Sequence, residues 1–348
     1  MKKILYITNI EVPYKVSFFN ELAKQCNLTV LYERKKSNNR DSKWTKSEIK
    51  NFHAEYLNGI KISNEYAFSF KILKFLNKTW DAIFISCYNS PIQILAIMIL
   101  RLKKIPYIIS FDGEIFIHKG IKSTLKKYIL KGASKYMVAG KESYKSLAQI
   151  IGNNKAIYPY YFSSMREDEL IKKNSKVSRE NFILVIGQYY NYKGMDLAFQ
   201  VACKDHSIKY KFIGMGKRTH LFYKRFGEMP DNIDIIPFLQ KEDLEEEYKK
   251  CAMLLLPTRQ ECWGLVVNEA ASFGTPIVST WGSGAAVEFL AEKYPQYLAI
   301  PNNTESLYFC IKTCLHAKDN ELYGKYLVQK ARMYNIERMV KEHIKAIM

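Results

Sequence analysis

Two glutamates, Glu261 and Glu269, lie in the stretch MLLLPTRQECWGLVVNEAASFGTPIVST, residues 253–280, on the kind of punctuated segment that builds sites. Met253 to Leu256 is an apolar run without a polar face, the pattern of a strand covered on both sides. Pro257 ends it, a polar loop follows, and Gly264 stands where a helix opens to carry Leu265 to Ser272. Gly274 closes that helix, Pro276 forbids its continuation, and Ile277 to Ser279 returns to strand. Glu261 thus falls on the loop and Glu269 in the first turns of the helix. Free amides at a helix start beside a glycine suit a phosphate. Carboxylates on either side of it can accept from hydroxyls, so the spacing suits a ligand with hydroxyl groups flanking phosphate.

Other elements must position these groups. A strand at Phe182–Ile186 runs into Gly187-Gln188-Tyr189-Tyr190-Asn191-Tyr192-Lys193-Gly194, and Phe212-Ile213 runs into Gly214-Met215-Gly216, where backbone could approach a ligand. Ile233–Phe238 and Ile277–Ser279 complete a second parallel sheet, and Gly282-Ser283-Gly284-Ala285-Ala286 is a small-residue loop after the last of these strands. In the first half, strands expected at Ile4–Ile10, Leu28–Tyr32, Ala82–Cys87, Tyr107–Phe111 and Tyr136–Ala139 alternate with helical segments. That alternation implies a doubly wound parallel sheet with ligands at the carboxyl ends of its strands. Two such ends carry polar groups: the loop from Asn9 to Lys15, and Asp112-Gly113-Glu114 with His118 nearby. The polar stretch 163–180 reads as a linker, giving a first domain over 1–162, a second over 181–320 and closing helices over 321–348.

The 253–280 stretch resembles the E-x7-E signature of the retaining glycosyltransferases of family 4, close to P-S-x-x-E-G-F-G-L-V-x-x-E-A-x-A-x-G-x-P-V. Pro257, Glu261, Gly264, Glu269, Ala270, Gly274 and Pro276 fall in place, while Thr258, Cys262 and Trp263 depart from it. The resemblance implies a GT-B fold: two Rossmann-like doubly wound α/β domains with a cleft between them, a nucleotide-diphosphate sugar as donor on the second, and closing helices over 321–348 that cross back to the first. Gly187 to Gly194 resembles the family's G-R-x-x-x-x-K-G loop, with Lys193 for the diphosphate and Gln188 in place of the arginine. By the same resemblance the amides of Gly264, Leu265 and Val266 hold the diphosphate, Glu269 the ribose and Glu261 the sugar, with Gly214 also at the donor. The entry loop ending in Lys15 resembles an N-P-Y-R-type loop, and one of Asp112, Glu114 or His118 is expected near the transferred sugar. Transfer with retained anomeric configuration is implied. No D-x-D motif is present, so no metal and no cofactor is expected.

Composition bounds the setting. A chain of 348 residues with 48% hydrophobic content suits two cores. Seven cysteines without a C-x-x-C pair fit reduced thiols in a cytosolic protein. The longest apolar run, Ile94 to Leu100, is too short to span a bilayer. Residues 1–160 carry 27 Lys+Arg against 11 Asp+Glu, whereas residues 161–348 carry 26 against 23. Nearly all of the net +19 therefore lies in the first half, which reads as a functional surface. Helical stripes expected over 68–78 and 121–131 place Lys71 and Lys74, and Lys126 and Lys127, opposite apolar residues expected to contact the core, Ile121, Leu125, Tyr128 and Ile129 in the second. Such faces, with Lys15, suit an acceptor at an anionic membrane surface, a lipid-linked saccharide on the inner face of the plasma membrane. Rival readings are a nucleotide-sugar 2-epimerase of the same fold and a basic nucleic-acid-binding module. The latter lacks aromatic-interleaved basic patches, so nucleic acid is not the expected partner.

Overall fold

The computed structural model describes residues 1–35, 48–62, 67–86, 88–113, 121–152, 155–172 and 179–348. It divides into two compact units, Met1–Ser164 with Ile336–Met348, and Met165–Asn335.

The first unit holds strands β1 (Lys3–Ile10), β2 (Asn27–Arg34), β3 (His53–Tyr56), a short antiparallel pair β4 (Ile60–Lys61) and β5 (Ala67–Phe68), then β6 (Ala82–Ile85), β7 (Ile108–Phe111), β8 (Lys135–Ala139) and β9 (Ala156–Tyr160). Its helices are α1 (Pro13–Leu22), α2 (Ile72–Leu76), α3 (Pro91–Leu102), α4 (Ile121–Leu130) and α5 (Gly140–Ile151). The seven-stranded sheet runs β3-β2-β1-β6-β7-β8-β9 with every pairing parallel, for example Tyr6 opposite both Val30 and Phe84. Strands buried on both faces need no polar alternation, which is why β6 (AIFI) and Ile4–Ile7 of β1 read as continuous apolar runs. On one face Ile72, Ile92, Ile97, Leu100, Ile129 and Leu147 close a core with the strand residues Leu5, Ile85 and Ile109.

The second unit begins with α6 (Glu167–Lys172) and holds β10 (Phe182–Ile186), β11 (Lys209–Ile213), β12 (Ile233–Ile236), β13 (Met253–Leu256), β14 (Ile277–Thr280) and β15 (Leu298–Ala299). Between and after them come α7 (Met195–Lys204), α8 (Thr219–Phe226), α9 (Lys241–Lys250), α10 (Leu265–Ser272), α11 (Gly284–Leu290), α12 (Thr304–Leu315) and α13 (Asn320–Arg332). The sheet order is β12-β11-β10-β13-β14-β15, again all parallel. In both sheets the strand order reverses once, between β1 and β6 and between β10 and β13. Loops diverge at such a switch point and leave a crevice at the carboxyl ends. A last helix, α14 (Ile336–Ile347), belongs to the first unit.

Several sequence expectations differ from this structure. The helix expected over 68–78 is only α2, because Phe68 pairs with Ile60 in the hairpin instead. On α4, Leu125 and Tyr128 are exposed, and Ile129 and Leu130 supply the buried face. Helix α13 stays with the second unit, where Gly324 lies against Gly274 backbone to backbone, and only residues from Ile336 return to the first. The stretch read as a linker includes α6, which packs on α13.

Candidate functional site

The groups with chemistry in the second unit gather where the β10 and β13 loops flank the switch point. Gly194, left-handed at φ 68, ends the Lys193 loop, and a Cβ there would collide with the carbonyl of Pro257 at the end of β13. Only glycine lets the two loops meet. They are then stitched: Thr258 Oγ1 and the Arg259 amide donate to the Tyr192 carbonyl at 2.7 and 2.8 Å. Arg259 Nη1 donates both to the Asn191 carbonyl at 2.6 Å and to Asp196 Oδ1 at 2.8 Å, and Nη2 donates to Asp196 Oδ2 at 2.8 Å, clasping this carboxylate at the first turn of α7. Burial would raise the Asp196 pKa, but the hydrogen-bonded Arg259 outweighs it and holds the carboxyl below its ordinary value.

Lys193 forms an ion pair with Glu261, both half-buried, so the sequence-predicted phosphate ligand and sugar ligand stand together. Glu261 is itself fixed by backbone: its amide donates to the Gly282 carbonyl at 2.7 Å, and its carbonyl accepts from Gly284 at 3.2 Å. A Cβ on Gly282 or Gly284 would meet the carbonyls of Arg259 or Cys262, which explains the small-residue loop after β14. Gly264 caps α10 at φ 104 and offers no side chain to the amides of its first turn, where Leu265 and Val266 stand. Glu269, on α10, accepts from the Tyr248 hydroxyl of α9 at 2.9 Å. Burial and the Glu269 carboxylate push the Tyr248 pKa well up, so it remains a donor. Gln188 and Gly214 follow β10 and β11, and the backbones of Gly187 and Gly214 run side by side. Beyond Gln188, Tyr190 and Tyr192 stack at 5.5 Å, with the Arg218 guanidinium 3.8 Å from the Tyr190 ring centre.

In the first unit, β1 and β7 bring Lys15 and Asp112 together at 3.0 Å. Lys15 is buried and also donates to Thr8 Oγ1 at 3.1 Å. Burial acts to lower its pKa, yet Asp112 leaves it raised and charged. Lys15 is therefore no part of a membrane-facing surface, contrary to the sequence expectation: its ammonium is turned inward by Asp112. Tyr160 donates to the Phe111 carbonyl at 2.9 Å and lies 3.3 Å from Asp112 Oδ1. Beneath them His343 of α14 is buried against Phe18, Phe84 and Tyr160, and burial pushes its pKa down to about 4. Glu114 and His118 lie outside the described residues. Lys71, Lys74 and Lys127 are exposed, and Lys126 is half-buried with its ammonium 5.7 Å from the Tyr88 ring.

Sequence reasoning missed Asp196, Arg259 and Tyr248. Their partners are 63 and 21 residues away, and no local spacing signals a pairing of that kind. The one hint is that Asp196 follows Lys193-Gly194 at a helix start, where an acid is at home.

Residues 166–331, nearly the whole second unit, match the family described as glycosyl transferases group 1. An uncharacterized glycosyltransferase of Methanocaldococcus jannaschii is 26% identical over 58% of this chain, a match spanning 56% of that relative's own length. An uncharacterized glycosyltransferase of Haemophilus influenzae is 27% identical over 71% of this chain and 70% of its own. A shorter match, 29% identical over 25% of each chain, is to the O-antigen biosynthesis glycosyltransferase WclY of Escherichia coli. Among solved structures, sucrose-phosphate synthase of Thermosynechococcus elongatus superposes with TM-score 0.73 at 13% identity, covering 99% of this chain and 98% of that one. Anabaena HepE in complex with UDP and glucose gives 0.71 at 12% identity, covering 99% of both chains. The fold is GT-B, and the family match with these relatives supports a glycosyltransferase.

Proposed function

We propose that this GT-B chain is a retaining glycosyltransferase that moves a sugar from a nucleotide-diphosphate sugar, a UDP-sugar by preference, to a lipid-linked or other saccharide acceptor in cell-surface polysaccharide synthesis. The observation that carries the reading is the Lys193–Glu261 pair held beside the Gly264 cap of α10 at the β10/β13 switch point. A diphosphate there meets an ammonium and a helix N-terminus, both of which favour added negative charge. As the glycosidic bond to the phosphate breaks, charge grows on the leaving oxygen, and donors already aimed at it stabilise that state more than the ground state. The diphosphate competes for Lys193 and frees Glu261 to accept from the sugar hydroxyls. Glu269, steadied by Tyr248, accepts from the ribose. The departing phosphate takes the acceptor proton on the same face, so configuration is kept. Lys193 and the α10 amides supply the charge stabilisation, and we assign no divalent metal or cofactor to the reaction. The acceptor is assigned to the first unit near Asp112, and the basic first half to an anionic membrane surface at the inner face of the plasma membrane. The relative named for O-antigen biosynthesis and the structure bound to UDP and glucose support this choice of acceptor and donor.

The test is incubation with labelled UDP-sugars, in EDTA, with and without a lipid-linked saccharide. Acceptor-dependent release of UDP with an axial or equatorial linkage matching the donor is expected. Release of free sugar epimer without acceptor would make the chain an epimerase, and loss of activity in EDTA would contradict the metal-free assignment.

A further inference from the structure

Helix α3 reads PIQILAIMILRL, and its inward residues Ile92, Ala96, Ile97 and Leu100 are fully buried in the core. A surface helix ordinarily turns a charged or polar stripe to water. Here the outward residues are apolar as well: Met98 is 53% exposed and Leu102 83%. The one charge on the helix, Arg101, lies along its neighbour α4, 4.1 Å from the Tyr128 ring and donating to the Tyr128 carbonyl at 2.9 Å. Helices α2 and α4 pack on either side of α3. They add exposed apolar residues of their own, Phe70 and Leu73 at α2, Leu125 and Tyr128 on α4. Around this band stand Lys71, Lys74, Lys103, Lys104 and Lys127, all exposed. Residues 69–80, 88–111 and 121–139, which contain these helices, include no Asp or Glu.

We infer that the first unit docks on anionic bilayers by sinking the outer face of α3, with the adjoining apolar residues of α2 and α4, among the lipid headgroups. The contact is apolar at its centre and cationic at its rim. This deepens the membrane assignment made above and rests on it for the setting alone, since the surface argument is independent of the transfer chemistry. A second copy of the chain would bring two acid-free lysine rims face to face. A nucleic acid would meet the lysines but leave Met98 and Leu102 in water. An anionic bilayer satisfies both parts at once, lysines at the phosphates and apolar side chains at the acyl boundary. Binding by lysines alone vanishes at high salt, whereas an apolar centre leaves a residue of binding that salt does not remove.

Sedimentation with vesicles of phosphatidylcholine, alone or mixed with phosphatidylglycerol, tests this across salt concentrations. The parent chain should bind the mixed vesicles strongly at low salt and retain measurable binding at high salt. Met98→Ser with Leu102→Ser should weaken binding about tenfold or more and abolish the salt-resistant part, because two side chains lose burial. Lys103→Gln with Lys104→Gln should instead flatten the salt dependence. Phe309→Ser, at an exposed apolar residue of the second unit, should bind as the parent does. Melting curves and UDP binding, unchanged in all variants, establish that they fold. If the Met98/Leu102 variant binds as the parent does, the apolar contact is overturned while membrane docking stands. If the parent binds no vesicle at low salt, the membrane assignment itself falls. A dimer in light scattering that the same double variant dissolves would give the surface to a second copy and overturn the inference.

Discussion

Arg259→Ala should be a costly single change at the loops after β10 and β13. The Arg259 and Asp196 side chains are only 19% and 8% exposed, and the guanidinium makes four hydrogen bonds of 2.6–2.8 Å, to Asp196 twice, Asn302 and Asn191. Truncating one partner of a buried pair costs about 3–5 kcal/mol, mainly because the other charge is left uncompensated. Here Asp196 keeps Arg225 at 3.9 Å and its place at the first turn of α7, both of which offset part of that loss. The expected loss is therefore about 2–3 kcal/mol, and Arg259→Lys, which keeps charge without the fork, should lose roughly half as much. The pH dependence gives a sign to check. Asp196 has a lowered pKa in the folded chain, so its stabilisation is present above the unfolded carboxyl value and lost as pH falls through the folded one. The penalty of Arg259→Ala should accordingly shrink in acid, where Asp196 is protonated. Urea unfolding of parent and variants at neutral and acid pH reads this directly. Because Arg259 also holds the Asn191–Lys193 turn, the variant should lose UDP affinity even where it remains folded. A penalty below about 0.5 kcal/mol, or one unaffected by acid, would refute the view that this pair braces the two loops.

Gly194→Ala should lose well over 2 kcal/mol of stability in the same unfolding assay, since a left-handed residue pressed on the Pro257 carbonyl has no room for a methyl group. Glu269→Ala should weaken UDP binding by roughly 1.5–3 kcal/mol, and Tyr248→Phe by less, about 1 kcal/mol, in calorimetric titration; a larger effect at Tyr248 would reverse their assigned roles. His343, with its pKa pushed down to about 4 by burial, takes up its proton far more readily unfolded than folded. Stability should therefore fall as pH drops below about 6.5 toward 4, by on the order of 3 kcal/mol, and His343→Phe should flatten that limb of the melting profile.

Much of the second unit was legible in the residues because its physics is local. Pro257, Gly264, Gly274 and Pro276 each fix a backbone event, and doubly covered strands such as β13 announce themselves as unbroken apolar runs. That Lys193 and Glu261 form an ion pair was not legible, since the two loops meet only at the switch point of the folded sheet. What could not be read depended on distance or on facing. The Arg259–Asp196 clasp and the Tyr248–Glu269 bond join residues that only the fold brings together. An apolar stripe on a helix does not say whether protein covers it, so Leu125 and Tyr128 were expected in the core and stand in solvent. Lys15 had the same ambiguity in reverse, a lysine in a basic half that the fold buries against Asp112.

Calorimetric titration of the parent chain and Lys193→Ala with UDP and with uridine tests the central claim most directly, that the Lys193–Glu261 loops hold a diphosphate. The parent should bind UDP at least about tenfold more tightly than uridine, and Lys193→Ala should remove most of that difference, as loss of a charge-assisted contact to phosphate does. Parent and variant that favour UDP over uridine to the same degree would contradict it.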